Sequence, residues 1–245
     1  MACTQSTSTT LTIGTITGPE SDLVNIAKEI AQSRYGLTIK IIEFNDYNLP
    51  NEALEDGSLD ANIYQHLPYL KASMKTHGYH FEVIGKTFVY PMALYSQHYD
   101  SLNKLPQHAV IAIPNDPSNE ARALLLLKDA GLITLKATST ATRHDILTNP
   151  KQLQIKELDA AQLPHALPDV DAAIINSSFA LPAGLIPTRD GLYVERKDSP
   201  YANLIVIRKD SLKKEDLKKL VQAMHSTEVK NQAKRLFGSA AIPAW

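Results

Sequence analysis

The chain has 245 residues, 44% hydrophobic and 21% charged, a globular composition for one large or two medium domains. Its 25 Lys and Arg against 26 Asp and Glu leave a formal net charge of −1, which excludes a nucleic-acid binder working through a basic face over the whole protein. A single cysteine, Cys3, excludes an intrachain disulfide, a cysteine zinc cluster and a CxxC redox pair. No apolar run approaches the ~20 residues that span a bilayer.

The chain opens with Met1-Ala2-Cys3 and a Ser/Thr tract to Thr10, with no charged or apolar leader before the cysteine. Two readings fit: a trimmed bacterial lipoprotein signal followed by a polar tether, or a disordered terminus with a free thiol. Leu11 to Ile16 alternates and is rich in β-branched residues, which predicts a strand. Gly18-Pro19 breaks it. Leu23, Ile26, Ala27, Ile30 and Ala31 then share one helical face, with Pro19 suited to the first turn and Gly36 to the stop. Leu37 to Phe44 is a second strand, so the first stretch is a βαβ unit and implies a parallel sheet.

Further along, Ala109 to Ile113 is a short apolar strand, Asn115-Asp116-Pro117-Ser118 is a helix start, and Ala121 to Ala130 is the helix, ended by Gly131. Asp171 to Ile175 is a buried strand with a helix after Ser177, and Leu204 to Ile207 is another strand. Lys-rich amphipathic helices over Lys213 to Met224 and Glu228 to Phe237 close the chain, their charges forming solvated faces. Phe88 to Tyr95, interrupted by Pro91, and the turn Ser199 to Asn203 are two places where the chain can change domain. Two α/β lobes joined there would make a hinge, with a ligand cleft between them.

Enzyme signatures are missing: the chain has no GxGxxG, GxxxxGK[ST], GxSxG or HExxH. His77 and His80 flank Gly78, a loop context rather than a metal site. Glu43 with Asp46, and Asp169 with Asp171, lack neighbours that would split their pKa values into an acid and a base. Arg122 is more informative. A guanidinium in the first turns of a helix, beside free backbone N–H groups, makes a fork for a carboxylate or phosphate; the alternatives are solvent or a pair with Glu120. Tyr47, Tyr64, His66 and Tyr69 cluster around Asp60 to Leu70, with Tyr64 and His66 on one face of an extended segment. Such a wall suits an apolar or polarizable group such as a thioether, although core packing is the competing use. Asn176 and Asn203 stand at strand ends, where asparagine often only turns the chain. Each amide also offers a donor and an acceptor, which fits an amino acid's ammonium and carboxylate together.

Read together, several stretches resemble one family. They are Asp46-Tyr47 with Pro50-Asn51, Asp60-Ala61-Asn62 with Gln65-His66 and Pro68-Tyr69-Leu70, Pro114 to Asn119 with Arg122-Ala123-Leu124, Ala173 to Asn176, Ala183-Gly184-Leu185, and Ser199 to Asn203. The chain resembles, over Leu11 to Trp245, the NlpA family of substrate-binding lipoproteins, which includes methionine-binding proteins of ABC importers.

That resemblance implies an α/β, two-lobed periplasmic-binding-protein fold (type II-like), with two crossing hinge strands and a ligand cleft. It implies a tether at 1–10, one lobe from 11–92 plus 203–245, and a second from 93–202. It also implies lipidation of Cys3 and a place in the bacterial cell envelope, anchored to a membrane and facing the periplasm or exterior. The expected role is a monomeric, non-enzymatic binder of L-methionine or a close relative, delivering it to a permease with its ATPase, without cofactor, metal or nucleic acid. By the family's pattern, Tyr47, Tyr64, His66 and Tyr69 surround the thioether, Arg122 pairs with the carboxylate, and Asn176 and Asn203 hold the α-amino and carboxylate groups. The family usually has phenylalanine at the position of Tyr64, and the added hydroxyl is expected to shift preference toward a more polar ligand. D-Methionine or a methionine dipeptide as ligand, or a surface adhesin on the same fold, are the alternatives. An enzyme would need a nucleophile or acid/base pair in the cleft, and a ligand-sensing effector domain would need an attached DNA-binding helix-turn-helix.

Overall fold

The structure, a computed structural model, describes residues 10–138, 140–196, 200–237 and 241–245. Cys3 and the expected tether, except Thr10, lie outside them, as does Ser199. The chain starts with β1 (Thr10–Ile16), α1 (Pro19–Tyr35), β2 (Thr38–Phe44), α2 (Leu49–Glu55), β3 (Ala61–His66), α3 (Leu67–His77) and β4 (Phe81–Val89). It continues through β5 (Ala93–Tyr95), β6 (Val110–Pro114), α4 (Pro117–Asp129), β7 (Thr134–Leu135), β8 (Ile146–Thr148), β9 (Gln154–Leu158) and α5 (Leu163–Ala166). Then come β10 (Ala172–Ile175), α6 (Ser177–Ala180), α7 (Pro187–Asp190), β11 (Gly191–Val194), β12 (Ala202–Arg208), α8 (Lys214–Met224), α9 (Thr227–Phe237) and β13 (Ile242–Pro243).

These elements form two mixed sheets, ordered β13-β4-β12-β3-β1-β2 and β11-β5-β10-β6-β9, with β7 and β8 as a separate pair. The crossover through α1 makes β1 and β2 parallel, and β1 is also parallel to β3, whereas β12 returns antiparallel to both β3 and β4. In the other sheet β10, β6 and β9 are parallel and β5 runs against β10. The chain passes between sheets twice: over Tyr90 to Met92, after β4, and over Glu195 to Tyr201, before β12.

Local chemistry sets the helix ends nearest the cleft. Pro19 occupies the first turn of α1, where its missing N–H costs nothing, and Gly36 closes the helix in the left-handed conformation with φ 64°. α4 starts earlier than its apolar run, at Pro117, because Asp116 caps it by accepting the Asn119 backbone N–H at 3.0 Å. The first lobe's core packs Leu11 and Ile13 of β1 against Leu23, Ala27 and Ile30 of α1 and Leu217 and Leu220 of α8. In the second, Ile111 and Ile113 of β6 meet Leu124 and Leu127 of α4, while Ala93, Tyr95 and Ile175 pack on the sheet's other face against Leu163 and Leu167. His77 ends α3 and His80 lies beyond the left-handed Gly78, so the two share no helix turn. Among the described residues no group of three or more His, Cys, Asp or Glu is placed to hold a metal, and no helix is long and apolar enough to cross a membrane.

Gly14 lies in β1 between Ile42 of β2 and Asn62 of β3, and a Cβ there would run into the fully buried Leu59 side chain and come within 3.1 Å of the Phe44 ring. Gly14→Ala is expected to destabilise the fold by about 1–3 kcal/mol through overpacking. Urea unfolding checks this, and an unchanged midpoint would show that Leu59 yields freely.

Candidate functional site

Between the two sheets is a pocket lined by residues from both. Tyr47, Tyr64, His66, Tyr69, Arg122, Asn176 and Asn203, singled out from the sequence, all border it, together with Gln65, Tyr90, Asn119, Ser177 and Ser178. Distant segments meet here: β3 and α3 supply one wall, the start of α4 and the end of β10 the opposite one, and the first residues of β12 run alongside.

The alternation of β3 puts Tyr64 and His66 on the same side, and the first turn of α3 adds Tyr69. Gln65 points the other way, into a buried amide cluster in which its Nε2 donates to Asn51 Oδ1 at 2.7 Å and Asn62 Oδ1 at 2.9 Å. That cluster ties β3 to α2 and holds the wall in place. Tyr47 enters from the loop before α2, its ring centre 5.8 Å from Tyr64, 5.9 Å from Tyr69 and 4.8 Å from Phe179. The hydroxyls of Tyr64 and Tyr69 both donate to the Tyr47 carbonyl oxygen, at 3.0 and 2.8 Å. The Tyr64 hydroxyl, expected to shift preference toward a more polar ligand, has its proton directed at the Tyr47 carbonyl. Its proton is committed within the wall, so the wall keeps an apolar, polarizable character despite its tyrosines.

His66 is buried and neutral. Its Nδ1 accepts the Tyr69 backbone N–H at 3.3 Å, so the proton sits on Nε2, which faces Asn119 Oδ1 at 3.2 Å. Burial first, and the Arg122 charge second, push its pKa down to about 3. The Asn119 amide is oriented in turn by Asp116, whose Oδ2 accepts its Nδ2–H at 2.9 Å. Asn119 Oδ1 therefore receives both His66 and, at 3.0 Å, Asn176 Nδ2. A single asparagine at the start of α4 thus links β3 in one lobe to β10 in the other.

Arg122 has a protein partner other than Glu120. The N–H group at the start of α4 is taken by Asp116, and Glu120 turns away to accept the Arg143 backbone N–H at 3.1 Å. The Arg122 guanidinium, 4% exposed, makes a two-pronged pair with Glu195: Nε to Oε1 at 2.9 Å and Nη2 to Oε2 at 2.5 Å. Nη2 also donates to the Tyr90 carbonyl at 2.9 Å, and the Tyr201 ring lies 4.4 Å from the guanidinium carbon. Among the described residues no hydrogen bond reaches Nη1, so the guanidinium, held in the cavity wall, has a donor left for a ligand.

Asn203 pairs across the sheet with His66 and donates Nδ2 to Glu20 Oε1 at 2.8 Å. Glu20, 4% exposed at the start of α1, carries no local sequence signal of a buried role. Its Oε2 and the Oδ1 of Asn176 are buried without a hydrogen-bond partner among the described residues. Burial pushes the Glu20 carboxyl up to about 8, and the Asn203 bond only partly offsets it.

The model of the NlpA lipoprotein family matches residues 11–245. The chain belongs to the NlpA lipoprotein family. It is 47% identical over 237 residues to the "D-methionine-binding lipoprotein MetQ" of Salmonella typhi, covering 95% of this chain and 88% of that protein. Among solved structures, an ABC transporter periplasmic substrate-binding protein from Coxiella burnetii is 56% identical with a TM-score of 0.93, over 96% of this chain and 100% of its own. A nutrient-binding protein from Burkholderia cenocepacia, bound to methionine, is 48% identical with a TM-score of 0.93, over 96% and 100% of the two chains. The fold of this NlpA lipoprotein is that of the periplasmic substrate-binding proteins.

Glu20 carries a stability signature. Its pKa is raised from an ordinary 4.5 to about 8, so between those pH values the folded protein binds a proton the unfolded chain has released. Stability from this group is complete below pH 4.5 and is lost as pH rises through 8. Glu20→Gln, neutral at every pH, is expected to melt above the wild type at pH 9 and level with it at pH 4.5. Equal melting temperatures at pH 9 would show that Glu20 is not a buried acid in solution.

Proposed function

We propose that this lipoprotein is the substrate-binding component of an ABC importer and that its cavity takes methionine or a close relative. One observation carries the reading: a pocket between the two sheets in which a buried guanidinium with a donor to offer stands across from an aromatic wall whose Tyr64 and Tyr69 hydroxyls are already committed. The guanidinium suits a ligand carboxylate and the wall a thioether. Methionine has both, and the printed names of the relatives point the same way: they are binding proteins, of methionine or of an importer's substrate. Arg122, Asn176 and Asn203 would hold the charged end, and Tyr47, Tyr64, His66 and Tyr69 the side chain.

A ligand that binds only the folded state adds about 2.7 kcal/mol at a hundred times Kd, and each kcal/mol is worth roughly 2–4 °C in a chain of this size. After removal of carried ligand by unfolding and refolding, methionine is expected to raise Tm by roughly 5–10 °C. Leucine should do less, and methioninol, which offers Arg122 no carboxylate, least. Equal shifts with methionine and methioninol would remove Arg122 from the reading. A larger shift with D-methionine or a methionine dipeptide would change the ligand and keep the role. Asn203→Ala is expected to weaken methionine binding by roughly a hundredfold, as for the loss of two hydrogen bonds to charged groups; calorimetry reads this directly.

The importer role places the protein at the outer face of a membrane. Cys3 is the anchor point in this reading: a lone cysteine after a small residue, followed by a polar tract, in a chain of a lipoprotein family. Stable attachment takes more than one acyl chain. Full-length protein in its bacterial host is expected in the detergent phase on partitioning. Cys3→Ser should leave it, and equal recovery of the two in the membrane fraction would remove the anchor.

A further inference from the structure

β4 is exposed or half-buried from Glu82 to Lys86 and buried from Thr87 to Val89, where the stretch Ile242 to Trp245 lies along it. Ile242 and Pro243 of β13 pair antiparallel with Val89 and Phe88, and the Ala244 backbone N–H donates to the Thr87 carbonyl at 2.9 Å. A strand this short, with a proline that gives the ladder no donor, does not hold itself in place. Its hold is aromatic. The Trp245 ring meets the fully buried Phe88 edge-on, with ring centres 5.0 Å apart. It stacks on His225 with centres 4.4 Å apart and planes 3° from parallel. His225, at the end of α8, is tied to the same strand, because its Nε2 donates to the Lys86 carbonyl at 2.7 Å. Successive residues of β4, from Lys86 to Val89, are thus gripped by this strap or by its histidine seat.

The residue after Val89 opens the first passage between the sheets. Tyr90 packs its ring against Phe237 of α9 at 4.8 Å, borders the pocket, and gives its carbonyl to Arg122 Nη2 at 2.9 Å. On the other side of β4 lies β12, with Ala202 opposite Val89 and Asn203 next in the chain. The strap therefore closes the outer edge of the strand that delivers Tyr90 to the pocket. Trp245 is not among the residues that line that pocket.

We propose that Trp245 is a positioning residue for ligand binding: stacked on His225 and Phe88, it clamps β13 to β4 and fixes the first hinge passage, so that Tyr90 meets Arg122 and the pocket in one register. The inference rests on the methionine reading and adds to it an element at the edge of the first sheet. Without the clamp β13 peels away, β12 alone supports the end of β4, and part of the ligand's binding free energy goes into ordering the hinge.

Trp245 is the only tryptophan in the chain, so its emission reports on this place alone. In ligand-stripped wild type, methionine is expected to change that emission with the midpoint that calorimetry gives. Trp245→Ala should lose roughly tenfold in methionine affinity at unchanged stoichiometry, and Trp245→Phe, which keeps a ring to stack, should stay within about twofold of wild type. Leu105→Ala opens a cavity in the second lobe's core, away from the strap, and should destabilise the fold while leaving affinity within about twofold. The emission measurement needs no variant, so it decides the matter even if Trp245→Ala fails to fold. Emission unmoved by saturating methionine overturns the positioning role and leaves the methionine reading standing. So does a Trp245→Ala protein that binds like wild type, a Trp245→Phe protein as weak as Trp245→Ala, or a Leu105→Ala protein that loses as much affinity. Wild type that binds no methionine in calorimetry overturns both.

Discussion

The Arg122–Glu195 pair is the interaction around which the two lobes are arranged. An unpaired guanidinium at 4% exposure would be severely destabilising, so Arg122 requires a partner, and the partner lies on the segment by which the chain leaves the second sheet. Its other contacts are the carbonyl of Tyr90, on the first passage between sheets, and the ring of Tyr201, at the end of the second. Glu195 adds a bond from the Met92 backbone N–H at 3.1 Å. One side chain on α4 thus gathers both crossings of the hinge. It is also the cationic donor in the cavity wall, so a carboxylate bound to it touches the group that organises the hinge.

A second line of polar contacts runs across the cleft itself. Asp116 orients Asn119, and Asn119 receives His66 from one lobe and Asn176 from the other. Each member has its tautomer or amide orientation set by the one before, and the acceptor that starts the chain is the helix cap of α4. Buried polar networks of this kind specify one arrangement because each wrong orientation would leave a donor or acceptor unmet. The amide cluster of Asn51, Asn62 and Gln65 does the same for β3 from behind, so the aromatic wall stands on a strand fixed from both faces.

Glu20 costs the fold stability as the pH rises. A carboxyl group whose pKa is raised to about 8 by burial weakens the fold as the pH rises through neutrality. A glutamine would pack as well there without that cost. Local rules broken without structural compensation are expected at functional positions. Among the described residues, the unpartnered oxygens of Glu20 and Asn176 are such a case.

Sequence alone determined the parts governed by local rules. The apolar spacing of α1, the Asp116-Pro117 start of α4 and the alternation that puts Tyr64 beside His66 each depend on neighbours within a few residues. So did the family motifs, which brought the seven cavity residues into view before any geometry. Shorter or mixed elements carry little local signal: α2 spans only 7 residues, and the first half of β4 is partly exposed and lacks a clear period. What only the tertiary structure decided is the pairing of charges. Glu20, just after a proline at a helix start, reads as an ordinary acid favourable to the helix dipole, and Glu195 lies in a charged run that reads as solvent-facing. Their partners are 183 and 73 residues away in the chain. The closure of two lobes over them removes water, and desolvation turns each carboxyl group from a surface charge into one that must find a specific partner. No local pattern encodes that, because the burial that forces the pairing exists only once the sheets have come together.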